Sequence, residues 1–503
     1  MTDFIQVELL PLGKMLAVRP GTPLQDVLFD LGVEFPCGGR GRCKGCRVKV
    51  LSGQAPITAE DRKTLTEGEL QAGWRLACRL CADADLRLEL AQWEAAILTD
   101  HTAFHFTPQD GLGIALDLGT TTLVVQLLDL RTGQVLGVRT ALNAQARHGA
   151  DIMSRVDFGA HASGLPTLTR LIREQIGGMI GELLGAVPDR ARDLRNIALV
   201  GNTVMHHLFC GLSVEPLAHS PFEPEEDGLQ VFRAEALGWA LPGNPTVRFL
   251  PCLGSFVGSD ILAGILATRL HESAELVALM DLGTNGEIVL GNRDRLLCAS
   301  TAAGPAFEGA RISMGMRAAT GAISEVVVRG GRFQCHVIGG GEPRGICGSG
   351  LVDAVAGGLE LGLIQPSGRL KGGPALPLTS SVSLSQGDIR ELQLAKGAIA
   401  AGLRILARQW GATLDEITRV HLAGAFGNYI NRQSAQRIGL VQMPAERVEP
   451  AGNTALLGAK LALFALNEQD GSYPALRRQV SHVSLKEDPE FQDIYVDEMR
   501  FPG

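Results

Sequence analysis

The tetrapeptide Asp-Leu-Gly-Thr occurs twice in this 503-residue chain, at 117–120 and at 281–284, each time between two apolar runs. The first copy reads Ile114-Ala-Leu-Asp117-Leu-Gly119-Thr120-Thr121-Thr122-Leu-Val-Val, the second Leu279-Met-Asp281-Leu-Gly283-Thr284-Asn285-Gly286-Glu287-Ile-Val-Leu290. Short apolar runs bounded by a polar, glycine-containing turn have the pattern of a strand–turn–strand unit. An Asp ending a strand, with Gly-Thr directly after it, can surround phosphate oxygens with backbone N–H groups and hydroxyls while the carboxylate holds Mg2+ through its waters. A single copy could be an ordinary hairpin with a polar turn. Two copies, in halves of suitable size, point to two lobes that each present one turn to a nucleotide.

Length sets the rest of the frame. A chain of 503 residues holds roughly three folding units at ~100–200 residues each. With 45% hydrophobic and 20% charged residues it is folded throughout. A net charge of −8 gives no broad cationic field, which argues against a nucleic-acid partner. The N-terminus lacks a basic segment ahead of an apolar one, and no run reaches the ~18 apolar residues of a membrane span, so a cytoplasmic protein with no membrane partner is expected.

Five of the ten cysteines fall between Cys37 and Cys81. Crowded thiols in a reducing compartment point to metal rather than disulfides. Cys37-Gly-Gly-Arg-Gly-Arg-Cys43-Lys-Gly-Cys46, with Cys78 far downstream, supplies three ligands from one loop and a fourth from a later segment, the usual way to hold a [2Fe-2S] centre. The glycines let backbone amides turn toward an anionic cluster. A zinc site from Cys43, Cys46, Cys78 and Cys81 is the rival, but it leaves Cys37 and the glycine-rich loop without a reason. Cys81 is expected to be a small half-buried residue at a helix end. Ahead of the cysteines, Phe4–Leu10 and Met15–Val18 read as a hairpin, and Thr22 and Pro23 as the cap and first residue of a helix carrying Leu24, Val27, Leu28 and Leu31.

These residues carry resemblances. The loop between Cys37 and Cys43 resembles that of adrenodoxin- and putidaredoxin-type ferredoxins, and residues 1–91 resemble a β-grasp ferredoxin. The repeated Asp-Leu-Gly-Thr resembles the phosphate turns of sugar kinases, Hsp70 and actin. That resemblance implies an α/β actin-like (ASKHA, ribonuclease H-like) ATPase domain following the α+β ferredoxin domain, with Asp117 and Asp281 at the metal and Gly119, Thr120, Thr121, Thr122, Gly283, Thr284, Asn285 and Gly286 at the phosphates. Val420–Gly427 resembles the adenosine motif, through Gly424, Ala425 and Gly427. Thr301–Gly309 looks like a loop over the nucleotide, with Gly304 and Glu308. Gly345–Asp353, with Gly348, resembles a segment connecting the lobes or serves only helix packing. Asp260 is a further candidate near the metal.

The expected layout is a ferredoxin domain at 1–91, a linker at 92–112, a first lobe with middle region at 113–275, a second lobe at 276–485 and a tail at 486–503. The fusion, together with the blocks Ala198–Phe209, Asp281–Glu287 and Asp388–Ile399, is similar to the reductive activators of corrinoid proteins. That resemblance implies ATP-dependent return of Co(II) corrinoid to Co(I) in a methyltransferase or O-demethylase system, with a [2Fe-2S] cluster and ATP with Mg2+ as cofactors. The implied partners are a corrinoid protein and an external low-potential reductant such as a flavodoxin, ferredoxin or reductase, with a homodimer left open. The alternatives are an activator of a radical 2-hydroxyacyl-CoA dehydratase, a small-molecule kinase and an actin-like assembly protein. Of His206 and His207, one is expected in the core and one exposed. The segment 215–244 reads as a surface lobe for the partner or an insertion without a role.

Overall fold

Alternating apolar residues dictate the first strand: Ile5, Val7 and Leu9 are buried along Ile5–Leu10, with Gln6 exposed between them. The structure, a computed structural model, describes the chain except residues 1–3, 11–12, 30, 32, 34–38, 40, 43, 45, 91–103, 150, 284 and 466–471. Ile5–Leu10 pairs antiparallel with Lys14–Val18, as the hairpin reading expects, and parallel with Leu86–Leu90. Arg47–Ser52 and Trp74–Leu76 complete a five-stranded sheet. Parallel pairing of the first and last strands, with the helix Leu24–Phe29 between them in sequence, is the β-grasp arrangement.

Two details differ from expectation. Thr22–Pro23 forms a short ladder with Cys81–Ala82, and the helix begins only at Leu24. Thr22 Oγ1 donates to the Arg19 carbonyl (2.7 Å) instead of capping the helix. The tertiary ladder outweighs the local capping preference. The same ladder places Cys81 on a strand, exposed, rather than half-buried at a helix end.

Contacts divide the chain into one unit of Met1–Ala96, Pro305–Gln393 and Phe501–Gly503, and another of Ile97–Gly304 and Leu394–Arg500. Beside the ferredoxin fold, the first unit carries the strands Ala322–Arg329, Arg332–Val337 and Gly345–Ile346 and the almost wholly buried helix Gly348–Glu360. A Cβ on Gly348 would lie 1.9 Å from the Phe307 carbonyl oxygen, so close packing on the turn Pro305–Glu308 requires this glycine.

The second unit contains the repeat in full. Its first sheet runs Val135–Leu142, Thr122–Asp129, Leu112–Leu118, Leu194–Gly201, Thr246–Phe249, Gln230–Arg233. Its second runs Leu296–Thr301, Gly286–Gly291, Val277–Leu282, Arg419–Ala423, Val448–Gly452, with Val480–His482 added beside Leu296–Thr301. Each has three antiparallel strands followed by two parallel ones, and each carries its motif Asp near the end of the strand where the pairing changes sense. Open α/β sheets bind ligands at such switch points. This is the two-lobed actin-like fold.

The helices Ser259–Thr268 and Thr454–Ala465 join the two sheets through one core that includes Ala115, Ala198, Leu262, Leu279, Leu456 and Ala459. They cross closely, since a Cβ on Gly458 would fall 2.3–2.5 Å from the Ala263 backbone. Among the described residues, no helix is long and apolar enough to cross a membrane.

Candidate nucleotide and iron-sulfur sites

The hairpin register determines which side chains meet. Asp281 pairs directly with Glu287 across the second turn, and Glu287 in turn with Ser300, so all three share one face of the sheet. Ser300 Oγ donates to Glu287 Oε1 (3.2 Å). Asp117 ends the matching strand of the first sheet and accepts from Asn453 Nδ2 (3.0 Å). Asp260 stands in the first turn of the helix that begins at Ser259.

These four carboxylates interact. Burial and the charges of Asp281 and Asp117 push Asp260 up to about 8. Burial and Asp117 push Asp281 up to about 7. Burial pushes Asp117 up to about 6 against the Asn453 hydrogen bond. Glu287 is raised well above its ordinary value by burial, Asp260 and Asp281. A divalent cation near these acids would relieve the repulsion, and among the described residues no group of three or more His, Cys, Asp or Glu is placed to hold one directly.

The sign for stability follows directly. Acids whose folded pKa is raised hold more protons folded than unfolded, so their contribution is fully present below the unfolded value near 4 and is lost as pH rises through the folded values of 6 to 8. The melting temperature of metal-free protein is therefore expected to fall between pH 5 and pH 8, and Mg2+ with nucleotide to flatten the fall. Thermal scans at several pH values, with and without both, check this. A melting temperature that rises steadily over that range would contradict it.

The phosphate turns are braced from behind. Gly119 N–H donates to the Thr122 carbonyl (3.0 Å), and a Cβ there would lie 2.6 Å from that oxygen. Its amide thus closes the turn. Asn143 Nδ2 donates to the Gly119 carbonyl (2.9 Å), and the Asn143 amide to the Thr121 carbonyl (2.8 Å). Asn202 Nδ2 donates to Thr120 Oγ1 (2.9 Å). In the second turn Gly283 N–H donates to the Asn285 carbonyl (3.0 Å), and Thr284 lies outside the described residues.

Gly424 begins the helix Gly424–Tyr429 with φ +81°, where a Cβ would lie 2.6 Å from Asp281 Oδ1. Gly424→Ala would incur the left-handed backbone cost of about 1–2 kcal/mol and displace that carboxylate. ATP turnover is expected to fall by about 10²-fold, the scale of a 1 Å misplacement, with far-UV circular dichroism unchanged. Wild-type turnover in this variant would remove Gly424 from the site.

Some expected residues do other work. The space beside Gly286 is filled by Ile399 (2.7 Å) and Thr301 Oγ1 (2.8 Å), so this glycine serves packing of the helix Gln386–Trp410. Gly427 is buried, with the Leu422 backbone 3.1 Å from where its Cβ would stand, and the side chain of Ala425 lies outside the described residues. Gly304 has φ +78° and open space around it. Glu308 and Gly348 belong to the first unit. His206 and His207 are both buried, contrary to expectation, because the helix Thr203–Cys210 is enclosed along nearly its whole length. The segment 215–244 is held by Arg477 on Asp227 (2.5 Å) and Lys486 over the Phe222 ring (4.6 Å).

In the ferredoxin fold, Cys37 and Cys43 lie outside the described residues. Cys46 is fully buried, and its carbonyl accepts from Ala77 N–H (3.0 Å), which brings the half-buried Cys78 alongside. Gly39 and Gly41 both adopt φ near +70°, and a Cβ on either would strike Gln25 or Glu60. Thr64 Oγ1 fastens the Gly41 carbonyl (2.9 Å). Two thiols from separate segments, with Gly39 and Gly41 in left-handed conformations nearby in sequence, fit a thiolate-bound cluster. Lys44 (2.8 Å) and Arg47 (3.2 Å) both pair with Glu69 on either side of Cys46. The Arg47 guanidinium also donates to the Arg344 carbonyl (3.3 Å), while Arg344 pairs with Glu89 (2.7 Å) within the same unit.

Comparison with known proteins identifies the domains and the family. Residues 7–83 match the 2Fe-2S iron-sulfur cluster binding domain, 112–273 the middle region of RACo, and 275–503 the C-terminal ASKHA domain of RACo. The chain is 36% identical over 416 residues to the corrinoid activation enzyme RamQ of Eubacterium limosum, covering 76% of this chain and 69% of that protein. It is 29% identical to the [Co(II) methylated amine-specific corrinoid protein] reductase of Methanosarcina barkeri, covering 77% of each. The solved structure of a reductive activator for corrinoid, iron-sulfur protein superposes with a TM-score of 0.69 at 26% identity, over 99% of this chain and 98% of that one. The iron-sulfur domain, the middle region and the ASKHA domain thus follow one another in one chain, and the protein belongs to the family of reductive activators of corrinoid proteins.

Proposed function

We propose that this protein uses ATP to return the cobalt of a corrinoid protein from Co(II) to methyl-accepting Co(I). The observation that carries the reading is one chain holding both a ferredoxin fold with an iron-sulfur domain match and two Asp-Leu-Gly-Thr turns, on matching strands of two sheets, with four interacting carboxylates. The [2Fe-2S] cluster, when bound through Cys37, Cys43, Cys46 and Cys78, supplies a one-electron carrier. The electron comes from an external low-potential donor, such as a flavodoxin, a ferredoxin or a reductase, in the reducing cytoplasm.

Asp117 and Asp281 would hold Mg2+, with Asp260 and Glu287 as further acids that interact with them. The turns 119–122 and 283–285 take the phosphates, and Gly424, with the short helix it opens, lies beside the nucleoside. Asn143, Asn202 and Asn453 keep the first turn and Asp117 in place without reorganisation.

Cobalt couples of this kind lie below ordinary carriers, and each ~59 mV of uphill one-electron transfer costs about 1.4 kcal/mol. ATP can offset that only if its bound and hydrolysed states differ in affinity for the Co(II) or Co(I) partner. The test is titration calorimetry of the intact protein with a Co(II) corrinoid protein in the presence of AMP-PNP or ADP. Different affinities support the coupling, and equal ones sink it.

A further inference from the structure

Arg155, on the helix Ile152–Ala160, is completely buried. Its Nε donates to the Gly149 carbonyl (2.9 Å) and its Nη1 lies 3.6 Å from Met205 Sδ, both neutral acceptors. Its Nη2 is buried and has no partner. All three nitrogens are thus accounted for, and none meets a carboxylate. The carboxylate that acts on it through space, Asp151, accepts from the Ser154 amide at the start of the same helix. Burial lowers the guanidinium to about 9, which still leaves it charged at neutral pH. A buried cation with no direct ion pair is costly to a fold, and neutral side chains of similar volume are generally better tolerated.

Its location suggests what the charge is for. Met205 Sδ also receives Asn143 Nδ2 (3.4 Å), the same amide group that donates to the Gly119 carbonyl. The Met205 amide donates to Asn202 Oδ1 (3.0 Å), and Asn202 holds Thr120. The guanidinium is therefore linked to the turn 119–122 through Met205, Asn143 and Asn202. In a low-dielectric interior a charge so placed acts on an anion in the turn without touching it.

We propose that Arg155 is a positioning residue for the phosphates of ATP, held without a direct ion pair so that the nucleotide itself supplies the main counter-charge. The proposal rests on the nucleotide reading of this cleft. It assigns a cation to a site whose other ionisable groups are four carboxylates, and it explains why the fold tolerates a buried charge it does not pair.

The test uses intact holoprotein carrying Arg155→Met or Arg155→Lys. Nucleotide-free melting temperatures are measured first, then affinities for AMP-PNP, ADP and adenosine with Mg2+. Arg155→Met is expected to melt at or above the wild-type temperature and to lose AMP-PNP affinity by about tenfold or more, with a smaller loss for ADP and almost none for adenosine. Arg155→Lys, which keeps the charge, should retain most of the AMP-PNP affinity. Arg155→Met protein that melts lower or fails to fold, or that binds all three ligands as the wild type does, overturns the proposal in favour of a purely structural arginine. An equal loss for adenosine overturns it too. Wild-type protein that binds none of the three instead overturns the nucleotide reading itself, and the proposal with it.

Discussion

Asp281→Asn is expected to lower ATP turnover by about 10²–10³-fold, the range for removing one preorganised electrostatic group from an active site. Asp281 faces Glu287 across the hairpin and lies against Gly424, so an amide fits the same space but brings no charge to Mg2+. The same substitution removes one of four mutually repelling carboxylates, and the nucleotide-free variant should melt above the wild type. Turnover and melting temperature are thus expected to move in opposite directions. An inactive variant that also melts lower would point to misfolding rather than to a lost metal ligand. The visible spectrum of the iron-sulfur centre should be unchanged, because Asp281 and the cluster loop belong to different units.

Cys46→Ala should have the reciprocal effect. Cys46 is fully buried beside the Cys78 segment, and its loss would leave the proposed set of four thiolates one ligand short. The cluster absorbance is expected to disappear, and Co(I) formation to fall to background. Metal binding and folding are coupled in small metal-binding domains, so the ferredoxin fold should also become more protease-sensitive. Nucleotide binding should persist. Spectroscopy, proteolysis and calorimetry on one preparation separate these outcomes, and a variant with an intact spectrum would remove Cys46 from the ligand set.

The features legible in the sequence were those written locally. Asp117 and Asp281 stand out because a strand, an acid and a Gly-Thr turn are contiguous, and the cluster loop because its cysteines and glycines share ten residues. The fold class follows from the fusion of those two signals. Glu287 went unread as a site residue although its signal was present. A three-residue turn at 283–285 forces 281 to pair with 287, and counting the register would have put both acids on one face.

Other features were invisible for a physical reason. Asn453 meets Asp117 across 336 residues of chain, and Asn143 and Asn202 reach the first turn from separate elements. No periodicity announces such partners. His206 and His207 were expected to divide between core and solvent, but a helix enclosed on all sides buries both. At Thr22 the capping signal was real in isolation and lost to a ladder with Cys81–Ala82 that only the folded chain supplies. Arg155 carries no sequence signal of its own, and only its surroundings show a buried guanidinium without a direct ion pair.

The central claim is that ATP and the iron-sulfur centre act together on a corrinoid partner. The most direct test is anaerobic: reduced protein is mixed with a Co(II) corrinoid protein, with and without ATP, and Co(I) is followed by its absorbance, with Cys46→Ala and Asp281→Asn run in parallel. Co(I) should appear with ATP, and not without it or in either variant. Co(I) forming equally well without ATP, or failing to form although the protein shows a [2Fe-2S] spectrum and turns over ATP, would contradict the account.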